Sequence, residues 1–336
     1  MRRPIVLALI LGAGALGLGQ APANRSVEIK LATVIPEGSS WHRILQDMGE
    51  KWKSAPAGGV KLRIFAGGIA GDEPDAVSKL RIGQFHAASL STEGLAQIDP
   101  SLRAFQIPMM FRSYEELDHA RAALRPLLEK RLADRGFLVL NWGDGGWVCF
   151  FTKDPAPNPA ALRPQPIFVW GGDNAGVELY KKAGFRPVPL ASNEILPSLQ
   201  TGLIRAVPTT PLLALASQWF ALAPNMTEVR WAPLIGATVV TKRAWDQIPE
   251  AAKPALLEAA REAGERLKAE IRGSNEEAIA RMKERGLKVV TPSAADLAAW
   301  QAIAEANWGD IRGRIVPADV FDAVRKDVEA YRANAR

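Results

Sequence analysis

The chain has 336 residues, a formal net charge of +6 and one cysteine, Cys149. That length exceeds the usual size of one domain and predicts two lobes. A lone cysteine excludes an internal disulfide. Acids and bases are interspersed, as in residues 261–270, and no basic tract is interleaved with aromatics, which excludes nucleic acid as a partner.

Met1-Arg2-Arg3 is a short basic region, followed by a continuous apolar and glycine stretch over residues 5–18 and by small residues at Ala21 and Ala23. Fourteen residues are short for a membrane span, which needs about twenty. The pattern predicts a signal peptide over residues 1–23, cleaved near Ala23, and an exported protein. The alternative is an uncleaved anchor. Cleavage removes Arg2 and Arg3 and lowers the net charge to +4.

Residues 27–32 read as a strand with Val27, Ile29 and Leu31 on one face. Gly38-Ser39-Ser40 then caps a helix beginning near Trp41, because a serine oxygen satisfies a free amide at a helix start. Residues 60–65 alternate as a half-buried strand does. A helix from Glu73 ends at Gly83, a residue suited to the left-handed terminus, and residues 87–90 form a short buried strand. Residues 114–135 give one or two helices interrupted at Pro126, ahead of a strand at 137–141. The same grammar recurs with a strand at 167–169 and helices at 175–183 and 194–201. A strand at 203–207 follows, broken by Pro208, and another at 238–241. Residues 212–220 suit a helix whose apolar face carries Trp219 and Phe220. A helical pattern over residues 251–285 spans about 52 Å, too long for one lobe and suited to a brace across two, with Gly264 or Gly273 as a place to bend. This alternation predicts an α/β protein.

Residues 142–170 hold six of the chain's twenty-four aromatic residues: Trp142, Trp147, Phe150, Phe151, Phe168 and Trp170. The stretch begins at the expected crossover between lobes, so it predicts an aromatic-lined cleft that takes an apolar or flat molecule. Any single ring is equally well read as core, since each buries about 150–250 Å². Cys149 among these rings reads as a buried inert thiol.

The order and spacing of several short motifs resemble one family. They are Leu31-Ala-Thr-Val-Ile-Pro36, Gly67-Gly-Ile-Ala-Gly-Asp-Glu73, Lys79-Leu-Arg-Ile-Gly83, Ile107-Pro-Met-Met-Phe111, Gly184-Phe-Arg-Pro-Val-Pro189, Leu199-Gln-Thr-Gly-Leu-Ile204 and Ala244-Trp-Asp-Gln-Ile-Pro249. The chain is similar to the DctP-type periplasmic solute-binding subunits of tripartite ATP-independent periplasmic (TRAP) transporters. The resemblance implies a bilobal, type II-like clamp with a long helix crossing both lobes. The expected division is residues 24–146 plus 231–250 for lobe I and 147–230 for lobe II. Residues 251–285 form the spanning helix, and 286–336 are C-terminal helices bracing the lobes. The resemblance also implies a small organic ligand, TRAP-type membrane permease subunits as partners, and a helical-repeat periplasmic protein as a further recipient. No cofactor or metal is expected.

Departures from the family pattern bear on the ligand. Most members grip a carboxylate through an arginine on the strand after the Pro-rich connection; Phe168 occupies that position here. The nearest match to a second arginine is Trp147. A contact that is commonly Asn falls near Thr209, and the acid usually just before it is Arg205. A carboxylate enclosed without a cation pays a desolvation penalty of roughly several kcal/mol. The sequence therefore predicts an apolar or largely uncharged ligand held by Trp147, Phe168 and Trp170. The alternative is an organic acid with its anion site moved to Arg205, Lys153 or Arg163. Asp144, Asp173 and Asn174 follow glycines in turns and either orient a ligand or bond their own backbone. Trp41 and His42 stand where the resemblance places the mouth of the cleft.

Two other classes compete. A periplasmic enzyme is disfavoured: His42, His86 and His119 form no zinc-type grouping, no Gly-x-Ser-x-Gly elbow is present, and Asp72, Glu73 and Asp75 begin a helix, where acids suit the dipole. A ligand-sensing subunit of a receptor would share the fold.

Overall fold

A computed structural model describes residues 27–56 and 59–334; the expected signal peptide lies outside them. In chain order the first part contains β1 (Val27–Ala32), α1 (Ser40–Lys53), β2 (Val60–Phe65), α2 (Glu73–Ile82), β3 (Ala87–Ser91), α3 (Thr92–Ala96), a 3-10 segment (Pro100–Gln106), α4 (Tyr114–Asp134) and β4 (Phe137–Thr152). Next come α5 (Pro159–Leu162), β5 (Pro166–Trp170), α6 (Asn174–Lys182), β6 (Arg186–Leu190), α7 (Ile195–Thr201), β7 (Ala206–Thr209), α8 (Pro211–Ala216) and β8 (Asn225–Thr241). The chain closes with α9 (Lys242–Trp245), α10 (Lys253–Lys283), β9 (Lys288–Val290), α11 (Ala294–Ile311) and α12 (Ala318–Asn334).

The strands join in the order β2-β1-β3-β8-β4-β7-β5-β6, with β9 added to β8. β1 pairs in parallel with β2 and β3, and β5 with β6 and β7, as α/β units do. β4 and β8 are antiparallel partners along almost their whole length. At one end β8 also carries β3, opposite Gly236 to Val240. At the other, β4 also carries β7, opposite Cys149 to Thr152. Two α/β halves thus share one strand pair, and the ligand-sized spaces described below lie between them.

Local sequence explains most boundaries. Ser39 Oγ accepts from His42 N–H at the start of α1, and Gly83 closes α2 at φ +78°. α4 runs unbroken through Pro126, correcting the expected interruption. Pro removes one intrahelical bond, but Leu117, Leu124, Leu128 and Leu132 are buried along one stripe and hold both sides of the proline on the core. β7 likewise continues through Pro208, which stands opposite Phe150, while its pairing with β5 is confined to Ala206. A residue without an N–H is tolerated where the ladder asks little of it. β4 and β8 are far longer than the short strands expected, because Gly143, Gly145, Gly146 and Pro233 look like turn residues. Gly145 and Gly146 are instead accommodated at a register shift, and Gly143 and Pro233 hold regular places opposite Gly236 and Trp147.

Helix α10 covers 31 residues, about 46 Å. It packs on α1, where Trp52 Nε1 donates to Leu256 O at 3.0 Å, and on β4 and α8 through Asn275. Gly264 allows a close approach to β4: a Cβ there would stand 2.9 Å from both Trp142 O and Asn141 Cβ. Helix α11 is pinned by Trp300, fully buried, stacked on Phe150 with centroids 4.9 Å apart and donating through Nε1 to Pro157 O at 2.9 Å. Trp300→Ala should lower the free energy of unfolding by about 3–5 kcal/mol, read by urea titration, with Trp300→Phe recovering most of it.

Candidate functional site

The aromatic stretch does not form one cleft. Side chains alternate across a strand, and the shifts in β4 send its rings into separate cores. Trp142 packs edge-on against Phe105 and donates through Nε1 to Glu129 at 2.9 Å. Trp147 is buried against Tyr114, centroids 5.4 Å apart, with the Arg230 guanidinium 5.6 Å from its ring centre. Phe150 and Phe151 are fully buried. Only Phe168 and Trp170, 5.2 Å apart on β5, reach the space between the halves.

That space comprises two neighbouring cavities. The larger, about 590 Å³, lies between the C-terminal ends of β1 and β3, the start of α1, and α8; Trp41, Ser89, Trp170, Thr210, Leu213 and Trp219 are among its walls. The smaller, about 180 Å³, is walled by Val148, Phe168, Val169, Thr209 and Trp231, with Arg103 and Asp173 at one end. Trp170, Leu213 and Leu234 face both.

Trp41 stands over glycines for a steric reason. A Cβ on Gly143 would fall 2.9 Å from its Cζ2, so only glycine there lets the indole lie on β4. Its Nε1 is buried without a hydrogen-bond partner, as is Ser89 Oγ. Arg43 lines the same cavity; its guanidinium donates to Gly38 O and Ser40 Oγ and, among the described residues, forms no ion pair. Glu73 is a further wall residue, with its carboxylate accepting from Ser91 N–H, Ser91 Oγ and Gly94 N–H at 2.6–2.8 Å. Burial outweighs those bonds and raises its pKa.

Four expected site residues line neither cavity: Trp147, His42, Asn174 and Arg205. His42 is buried, with Nδ1 accepting from Gly38 N–H at 3.0 Å, so its imidazole closes the turn before α1. Asn174 is the exposed first residue of α6. Arg205 pairs with Asp154 at 2.5 Å, which commits the guanidinium that a relocated anion site would need. Asp144 also turns away from the cavities: it is buried between Arg121 and Arg272, each at 2.6 Å. Thr209 and Asp173 reach the smaller cavity, although Asp173 also caps α6 by accepting from Gly176 N–H at 3.0 Å. Arg43 and Ser89 were missed by the sequence reading. One signal was available for Arg43, because a cation in the first turn of a helix opposes the dipole and so calls for another role.

Contacts across the cavities hold the halves together. Arg103 reaches Glu93 at 2.7 Å and Asp173 at 2.9 Å; Asp72 accepts from Ser192 N–H at 3.1 Å. Burial raises the Glu93 carboxyl from 4.5 to about 7 against the pull of Arg103, and Asp173 and Glu73 raise it further. The folded chain therefore holds this proton more tightly than the unfolded one. The Glu93 contribution to stability should fall as pH rises from about 4.5 to about 7 and be level above that. Calorimetric scans at pH 5 and pH 7.5 should show a smaller Tm difference for Glu93→Gln than for the wild type.

Residues 31–312 match the family model described as bacterial extracellular solute-binding protein, family 7 (DctP). The C4-dicarboxylate-binding periplasmic protein of Rhodobacter capsulatus is 22% identical over 310 residues, covering 89% of this chain and 91% of that protein. A TRAP periplasmic solute-binding protein of Chromohalobacter salexigens, solved with bound D-glucuronate, superposes with a TM-score of 0.82 at 19% identity, covering 90% of this chain and 99% of that one. The sugar acid binding protein of Advenella mimigardefordensis, solved with galactonate, gives 0.85 at 16% identity, covering 91% and 98%. These structures share the fold, a bilobal clamp of the kind the two α/β halves and intervening cavities describe here. The chain belongs to the DctP family of TRAP periplasmic solute-binding proteins.

Proposed function

We propose that this protein captures an organic acid between its lobes and presents it to TRAP-type permease subunits, without catalysis. The observation that carries the acid is a cation, Arg43, among the walls of the larger cavity and free of any carboxylate among the described residues. A carboxylate in the cavity would give the Arg43 charge the partner it lacks. The three relatives above bind or are solved with a C4-dicarboxylate, D-glucuronate and galactonate, all carboxylates, which supports the same class. Arg205 has no part in this reading, and neither has a helical-repeat recipient.

The lobe division that fits the reading places residues 24–146 with 231–250 on one side and 147–230 on the other. β8 carries β3 only beyond Gly236, and β4 carries β7 only beyond Cys149. Export through a leader over residues 1–23 belongs to the same proposal.

A second reading, an apolar or largely uncharged solute, is favoured by Phe168, buried at the strand position where the resemblance implies a cation. Calorimetric titration with succinate, D-glucuronate, galactonate and an uncharged aromatic compound separates the two. On the acid reading at least one carboxylate binds, and Arg43→Ala weakens it by roughly fivefold, the equivalent of about 1 kcal/mol for a partly exposed charge pair. Binding of the uncharged compound alone, lost on Phe168→Ala and indifferent to Arg43→Ala, would establish the second reading in its place.

A further inference from the structure

We propose that the smaller cavity is a tail pocket, and that the solute is an amphipathic monocarboxylate whose hydrocarbon end passes Trp170 and Leu213 to fill it. The inference rests on the organic-acid reading for the head group and on the two-cavity geometry for the tail.

Three observations carry it. The first is adjacency: Trp170, Leu213 and Leu234 are walls of both cavities, so the two spaces are neighbours. All three are half-buried, which leaves them room to move when a ligand enters. The second is the lining. Val148, Phe168, Leu179, Trp231, Ile311 and Ile315 present hydrocarbon and aromatic surface from both halves and from α11 and the segment after it. No compact polar solute uses such a surface, whereas an alkyl or aryl group gains from each methylene removed from water.

The third is charge, which fixes the orientation. The polar end of the smaller cavity holds Arg103 already engaged by Glu93 and Asp173. A cation committed to two carboxylates offers nothing to a third, and their neighbourhood repels one. Arg43, which has no carboxylate partner among the described residues, is on the larger cavity. The carboxylate therefore stays with it and the apolar end enters the smaller space. A second carboxylate carried into the smaller cavity, as in a dicarboxylate, would meet Glu93 and Asp173 among its walls and be rejected.

The test is calorimetric titration of the intact protein with butanoate, hexanoate, octanoate and 1-octanol. Each added methylene should tighten binding about fourfold, so octanoate, four methylenes longer, should bind roughly 250-fold more tightly than butanoate. Val148→Phe, which fills the smaller cavity, should reduce the octanoate-to-butanoate ratio at least tenfold. The wild-type series decides even if that variant folds poorly. Butanoate and octanoate within threefold of each other would overturn the tail pocket while leaving the acid reading intact. If 1-octanol binds as tightly as octanoate, the tail pocket stands and the carboxylate reading falls. Binding by none of the four overturns the tail pocket, and the acid reading is then decided by succinate, D-glucuronate and galactonate.

Discussion

Everything in this molecule hangs on the antiparallel ladder between β4 and β8. It alone belongs to both halves of the sheet, running from Phe137 opposite Thr241 to Thr152 opposite Asn225. β3 docks on one end of it and β7 on the other. The ladder is regular enough to hold the halves in register and irregular enough to change direction, because it shifts register at three places along its length. Gly146, at φ +105°, sits at one of these, a conformation that side chains rarely adopt. A bulge adds local twist, so the cavities open beside the point where the ladder turns.

Charge secures that turning point from outside the cavities. Asp144 is almost wholly buried and ion-paired with Arg121 from α4 and Arg272 from α10. Arg272 in turn grips Asp118 with both terminal nitrogens and lies 4.0 Å from the centre of the Tyr114 ring. A carboxylate this deep is tolerable only while both guanidinium groups remain, since stripping one from a buried ion cluster leaves the other charges uncompensated. Strand, helix α4 and long helix α10 are therefore tied at one atom group. Asn275 extends the tie to α8 by accepting from Leu212 N–H at 3.1 Å.

Much of the fold was legible in the sequence, because its elements carry local signals. β1 and β2 follow from alternation, α2 from Asp72 and Gly83, and α10 from sustained helical periodicity. The long strands were not legible, since glycines and prolines that normally end a strand are carried here within the continuous β4–β8 ladder. The site was less legible still. Ring density between residues 142 and 170 signalled burial, but burial in a strand splits between two faces, and only Phe168 and Trp170 fell toward the cavities. Arg205 looked available from its position beside β7, yet Asp154, fifty-one residues away in the chain, claims it. Contacts of that span leave no trace in local spacing.

Cys149 gives this arrangement a chemical consequence. Its sulfur lies buried on β4, opposite Thr209, among Phe151 and Phe168. Burial pushes the thiol up to about 12. At neutral pH only about one molecule in a hundred thousand carries the thiolate, the form that attacks disulfides. Thiol exchange also needs access to the sulfur, and the closed packing of the strand denies it. A protein of a family that works in the oxidising periplasm therefore keeps an unpaired cysteine without oxidative dimerisation or mixed disulfides. The packing around the β4–β7 ladder thus acts as redox insulation as well as core.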